Sequence, residues 1–265
     1  MADAVYSDLF GSDLILHYTA ADSGSLFTDT GATTPASDGN TVKAWTAQAD
    51  AATNSALTES TNGPTYAADY ASSGYPALVF DGTNDILSLT STGITTNARM
   101  FVLMAYTWIG ATTNTAWCRG NGASWCRGYV GTGYTALQDS SAGFFGVTSG
   151  VPSARRVTAW VAGADQSQVD TLGFSAGNRN NHMPAGASAV FTLAALNTGS
   201  LSQFGNFALH ELLVIGHLCE WGQVLRGSKL LRDSWGITDP NGVPQAPAGG
   251  TSGFTGIRGV GALGT

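Results

Sequence analysis

A chain of 265 residues can bury one sizeable core, and all-β sandwiches of this length are routinely single domains. Only 11% of the residues are charged, Lys43 and Lys229 are the only lysines, and the formal net charge is −7, so too few cations are present to neutralise phosphates and nucleic acid is excluded as a partner. The opening MADAVYSDLFGSDLIL has neither the basic start nor the continuous apolar run of a secretory signal. No later stretch approaches the roughly 18 apolar residues of a membrane span, so a soluble protein with no membrane insertion is expected.

In chain order, DLILHYTA (13–20) alternates as a strand, and the polar ADSGSLFTDTGATTPASDGN (21–40) follows as a long loop before TVKAWTA (41–47). PALVFDGTNDILSL (76–89) reads as two strands around a Gly-Asn-Asp turn. RMFVLMAYTWI (99–109) is the most apolar strand and is expected to be buried on both faces. GYTALQD, GFFGVTS, RRVTAWVAG, TLGFSAG, AVFTLAAL and FALHELLVIG continue as strands at short, turn-bounded spacing, the pattern of a sandwich or jelly roll.

One helix is predicted, LCEWGQVLRGSKLLRDSW (218–235), with Leu218, Trp221, Val224, Leu225, Leu231 and Trp235 near a single face. Gly222 and Gly227 weaken it by about 1 kcal/mol each relative to alanine, so packing on the sheet must hold it. From Asp239 the chain becomes rich in proline and glycine, with isolated Phe254, Ile257, Val260 and Leu263 that cannot build a core. Such a tail frays unless neighbouring subunits order it, with Phe254, Ile257 and Leu263 as plugs and Arg258 as a polar pin. The expected organisation is one jelly-roll domain over 1–238 and an extended assembly arm over 239–265.

The doubled WCRG in WCRGNGASWCRG (117–128) poses a choice between metal clip, disulfide and binding face. Seven residues separate Cys118 from Cys126 and no histidine is near, which argues against zinc. Three cysteines, with Cys219, are too few and too odd for a disulfide framework, which fits a reducing cytoplasm. The segment has the signature of a β-hairpin. With an odd loop centred on Gly122, Trp117 faces Arg127 and Arg119 faces Trp125 on one side, while Cys118 faces Cys126 on the other, within reach of a cross-strand disulfide; with an even loop the faces mix. A face of Trp117, Arg119, Trp125 and Arg127 serves either as a sugar-stacking platform or as an interface under a loop or subunit.

Other constellations are weaker. HELLVIGH suggests the zincin pattern H-E-x-x-H, but Val214 stands where the second histidine is needed and the segment reads as a strand, so His210 and Glu211 are structural. Asp81, Asn84 and Asp85 cluster oxygens that suit either a tight turn or calcium, with the turn favoured; no other cofactor is indicated. The four histidines are scattered and support no Ser-His-Asp arrangement, and no glycine-rich stretch opens a helix as a nucleotide loop would.

The segments LHYTAADSG, VKAWTAQADAATN, GPTY and YPALVFDGTNDILSL, together with FGNFALHELLVIGHLCEWGQVLRGSKLLRDSWGI, resemble the concanavalin A-like lectin and glucanase superfamily in its laminin-G-like branch, as found in bacterial and bacteriophage proteins. The resemblance spans 14–237, with the middle matched only by strand pattern. It implies a two-sheet antiparallel jelly-roll sandwich with one C-terminal amphipathic helix and, in Glu211, an acidic residue that meets backbone or basic groups near the helix. It implies no single activity. Glucanases of this superfamily carry E-x-D-x-x-E on a strand, and none of Glu59, Glu211 and Glu220 has Asp two residues on, so a non-enzyme is expected. The leading expectation is a bacteriophage virion structural protein, assembled in the host cytoplasm and displayed on the particle surface as capsid decoration or tail fibre. Its partners would be copies of itself, other virion proteins and host-surface glycans. The alternatives are a carbohydrate-binding module of a bacterial surface or secreted protein and, behind it, a divergent glycoside hydrolase or lyase.

Overall fold

The computed structural model describes residues 2–50, 56–89, 100–110, 114–121, 124–130, 134–139, 143–148, 155–162, 168–171, 174–177, 190–197, 200–216 and 219–237. Two antiparallel sheets, each nine-stranded among these residues, face one another as a sandwich. The first, called here the helix-side sheet, runs in the order Phe174–Gly177, Gln168–Thr171, Arg155–Ala162, Met100–Trp108, Asn206–Ile215, Leu14–Thr19 and Ala49–Asp50. The long strand Asn206–Ile215 shares its outer edge between two partners: Leu14–Thr19 pairs with residues 211–215, and Ala77–Asp81 with residues 206–209. The second, the hairpin sheet, runs Gly143–Thr148, Tyr134–Asp139, Ser124–Val130, Asn114–Asn121, Phe191–Leu193, Leu87–Leu89, Leu57–Thr58, Ala44–Trp45 and Leu26–Phe27.

The expected jelly-roll-like sandwich with a C-terminal helix is therefore the fold. Met100–Trp108 lies between two strands and is buried on both faces, as its composition requires. Alternate residues of the inner faces, among them Leu16, Tyr18, Trp45, Phe80, Met104, Trp117, Trp160 and Phe207, form one core between the sheets. The indole of Trp160 also bridges the layers, its Nε1 donating to the Ala136 carbonyl at 3.0 Å. FDGTND is not a hairpin turn within one sheet: the strand before it belongs to the helix-side sheet and the strand after it to the hairpin sheet. The long polar loop likewise contains Leu26–Phe27, an edge strand of the hairpin sheet.

The outer face of the helix-side sheet is covered by two helices. Helix α1 (Ala2–Phe10) has no counterpart among the elements expected from sequence; Tyr6 and Phe10, one turn apart, bury themselves against Leu14, Phe101 and Leu103. Helix α2 (Trp221–Ser234) is the predicted amphipathic helix, opened by a capping box of Glu220 and Gln223 and burying Val224 and Leu231, with Trp235 closing its end. Gly227 is the point of closest approach: a Cβ there would stand 2.6 Å from Cζ of Phe10. No described helix is long and apolar enough to cross a membrane.

Candidate functional site

The WCRG repeat forms a hairpin, but with an even loop. Cys118 pairs with Arg127 and Arg119 with Cys126, leaving only residues 122 and 123 between the paired Asn121 and Ser124. Directly opposed residues share a face, so the expected Trp-Arg face is corrected: its members divide between the two sides of the sheet. Trp117, Arg119 and Cys126 point inward. Trp117 is fully buried, stacked on Phe191 at 6.0 Å and edge-on to Trp160 at 6.2 Å, so it is a core residue and no sugar platform. Gly128 opposite it leaves room for the indole, since a Cβ there would stand 2.1 Å from Nε1. Arg119 is buried with it, and desolvation lowers its pKa. Cys118 and Cys126 lie on opposite faces and neither is disulfide-bonded, which rules out the cross-strand disulfide; burial pushes the Cys118 thiol up to about 11.

On the outer face the same hairpin assembles Trp125, Arg127 and Tyr129, at every second position of one strand. The Arg127 guanidinium lies 4.3 Å from the Tyr129 ring centroid and 5.4 Å from that of Trp125, so an arginine is held between two half-buried aromatic rings. Its plane is fixed further by hydrogen bonds: Nε donates to Gln138 Oε1 at 2.9 Å, Nη2 to the same oxygen, and Nη1 to Thr115 Oγ1 at 2.8 Å and Gln203 Oε1 at 2.5 Å. Tyr129, Gln138 and Gln203 carry no motif that a sequence reader could single out. Only the strand register brings them to Arg127.

Arg127 also heads a row that crosses the outer face of the hairpin sheet. Cys118 stands opposite it, then Thr192, Ser88 and Thr58, each the direct cross-strand neighbour of the one before. Ser88 Oγ and Thr192 Oγ1 are 3.3 Å apart. Four strand intervals separate Arg127 from Thr58, a span of about 19 Å. Cys118 and Thr192 are buried and Arg127 nearly so, so the parts of this face open to a ligand are the half-buried rings of Trp125 and Tyr129 at one end and the half-buried Ser88 and Thr58 at the other.

No family model and no curated protein matches the chain. Among solved structures it is similar to domain 4 of AbnA, a GH43 extracellular arabinanase from Geobacillus stearothermophilus, in complex with arabinotriose, at 18% identity over 82% of this chain and 98% of that one, with a TM-score of 0.52. It is also similar to the NanB sialidase from Streptococcus pneumoniae, at 10% identity over 55% of this chain and TM-score 0.46, and spans 26% of that chain's length. A third is the CBM40 of Ruminococcus gnavus IT-sialidase bound to α2,3 sialyllactose, at 10% identity over 50% of this chain and 83% of that one, with TM-score 0.42. At 18% identity the likeness to the arabinanase domain is one of fold, that of a β-sandwich. None of these three is described as a virion component.

The remaining sequence candidates take structural positions or fall outside the description. Asp81 Oδ1 accepts from the backbone N–H groups of Thr83 at 2.7 Å and Asn84 at 3.2 Å, and Asp85 Oδ2 accepts from the Asp81 N–H at 2.9 Å, so the carboxylates of FDGTND tie the turn itself. Burial, with Asp81 nearby, raises Asp85 to about 6. Among the described residues no three His, Cys, Asp or Glu side chains gather as a metal site requires. A β-bulge between Leu209 and Glu211 turns both His210 and Glu211 toward the helices, while Leu209 and Leu212 keep to the inner core. Glu211 is buried and bonded, as described below, and not open to a substrate. Phe254, Ile257, Arg258 and Leu263 of the tail lie outside the described residues.

Proposed function

We propose that this protein is a carbohydrate-binding β-sandwich module that holds its ligand on the outer face of the hairpin sheet. The observation that carries the reading is the pair of half-buried rings, Trp125 and Tyr129, held on either side of Arg127, with the half-buried Ser88 and Thr58 farther along the same face. An aromatic plane covers the apolar face of a sugar ring, the buried Arg127 guanidinium holds the two rings in place, and serine and threonine hydroxyls both donate and accept. The arabinanase domain of similar fold, whose structure holds arabinotriose, supports the same class of ligand. The reading is of binding rather than cleavage, with Glu211 committed to His17 and Trp235 inside the fold. Placement on a virion surface rests on the sequence alone.

The reading is tested by a glycan array followed by calorimetric titration with the best neutral oligosaccharide. Wild type is expected to bind, and Trp125→Ala to weaken binding by about tenfold or more, the loss that stacking on one aromatic supplies. A blank array at high protein concentration would overturn it.

A further inference from the structure

A second constellation lies on the outer face of the helix-side sheet, at the C-terminal end of α2. Arg155 stands directly opposite Thr107, on the face that Val157 and Ala159 present to the helices. Its guanidinium carbon is 3.9 Å from the centroid of the Tyr75 ring, and Tyr75 packs in turn on Trp235 at 5.7 Å. This stack fixes the plane of the cation. Nη1 is sealed from water without a hydrogen-bond partner, and among the described residues no carboxylate lies within ion-pair reach of the guanidinium. Nε and Nη2 are not among the sealed atoms and have no partner among the described residues, so that edge of the guanidinium is open to an acceptor from outside the chain.

The loop that carries Tyr75 is itself held in an uncommon conformation. Ala71 and Ser72, consecutive and neither of them glycine, have φ of 52° and 53°. Asp69 Oδ1 accepts from the Gly74 N–H at 2.6 Å, and the Tyr70 N–H donates to the Tyr75 carbonyl at 2.9 Å, which keeps the loop closed. The same loop sets half-buried Tyr70 edge-on to His210 at 6.2 Å. His210 Nδ1–H donates to the Pro76 carbonyl at 2.7 Å, so Nε2 accepts from Thr107 Oγ1 at 3.2 Å and the imidazole is a neutral wall.

We propose that Arg155, with Tyr70 of the adjoining loop, forms a second binding site that takes a carboxylate carried on a sugar ring. The Nε and Nη2 edge of a guanidinium matches a carboxylate bidentately, and stacking on Tyr75 presents that edge in one orientation. One cation answers one carboxylate; a polyacidic peptide needs several, and a chain of net charge −7 repels it. Tyr70, packed on the His210 ring that the Arg155 charge also reaches, adds a half-buried ring and a phenol on the same side of the sheet, which suits a sugar more than a free anion.

The test uses the full chain, a galactose trisaccharide ending in one galacturonic acid, its neutral all-galactose counterpart, and hexa-aspartate, followed by NMR of the arginine Nε–H resonances and by calorimetry. The galacturonate is expected to shift the Arg155 Nε–H signal. Arg155→Gln is expected to weaken binding about tenfold or more, as is Arg155→Lys, which keeps the charge but loses the fork. The neutral trisaccharide should leave this signal unmoved, and Trp125→Ala should retain the galacturonate shift even where the hairpin face has lost its own ligand. No shift at millimolar galacturonate, an unchanged shift in a folded Arg155→Gln protein, or an equal response to hexa-aspartate would overturn the proposal.

Discussion

His17 and Glu211, 194 residues apart in the chain, meet in the interior with His17 Nε2 at 2.6 Å from Glu211 Oε1. The other carboxylate oxygen accepts from the Trp235 indole N–H at 2.5 Å, and the Tyr6 ring stands edge-on to His17 at 5.1 Å. One acidic side chain thus ties the first strand, the last strand, α1 and the end of α2 around a single buried point. Truncating it leaves a histidine and an indole N–H without their acceptor. Glu211→Ala is expected to cost about 3 to 5 kcal/mol of stability, read by urea denaturation, while Trp235→Phe, which removes one donor and keeps the ring packing, is expected to cost about 1 to 2 kcal/mol.

The neighbouring His210 gives stability a pH dependence. Burial, aided by the charge of Arg155, lowers its pKa from 6.5 to about 4, although its bond to Pro76 opposes the shift. The unfolded chain therefore binds the proton more tightly than the native one. The contribution of the neutral imidazole is fully present above about pH 6.5 and is lost as pH falls toward 4, a change of about 3 kcal/mol. Denaturation between pH 7 and pH 4.5 is expected to show this fall, and His210→Asn to flatten it. An unchanged slope in that variant would count against the assignment.

Asp85 acts in the opposite direction. Its carboxyl is raised to about 6, so the folded state gains protons as pH falls through that value and the charged form is the disfavoured one at neutral pH. Asp85→Asn keeps an acceptor for the Asp81 N–H and is expected to raise the Tm modestly at pH 7, with the gain vanishing near pH 4. Because these carboxylates are committed to the turn, millimolar calcium is expected to leave the Tm where it is.

The two glycines of α2 should respond oppositely to alanine. Gly222 faces open space, so Gly222→Ala is expected to stabilise by up to about 1 kcal/mol through helix propensity. Gly227 lies under the Phe10 ring with Leu103 beside it, and Gly227→Ala is expected to lower the Tm despite the same propensity gain, because α1 must move away.

The two tryptophans of the repeat separate core from surface. Trp117→Ala is expected to cost about 3 to 5 kcal/mol, the cost of emptying a buried indole site, and Trp125→Ala less than half of that. Equal losses would contradict the face assignment drawn from the register.

The amino-acid sequence by itself determined the layers of this protein. Period-two alternation in segments such as DLILHYTA and FALHELLVIG specified strands, and the helical spacing of Val224 and Leu231 specified α2, because those patterns express local geometry. Helix α1 is not legible in the sequence because only Tyr6, Leu9 and Phe10 mark its face, too short a run for a period to declare itself. Which residues of the hairpin share a face was decided only by tertiary structure. One residue in the length of a hairpin loop exchanges the two sides of a strand, and that parity sent Trp117 and Arg119 inward while leaving Trp125 and Arg127 outside. The same holds for the bulge that turns His210 and Glu211 to one side, and for Arg155, whose partner ring lies 80 positions away in sequence. Such juxtapositions depend on strand register and on contacts between distant segments, which no local pattern of residues encodes.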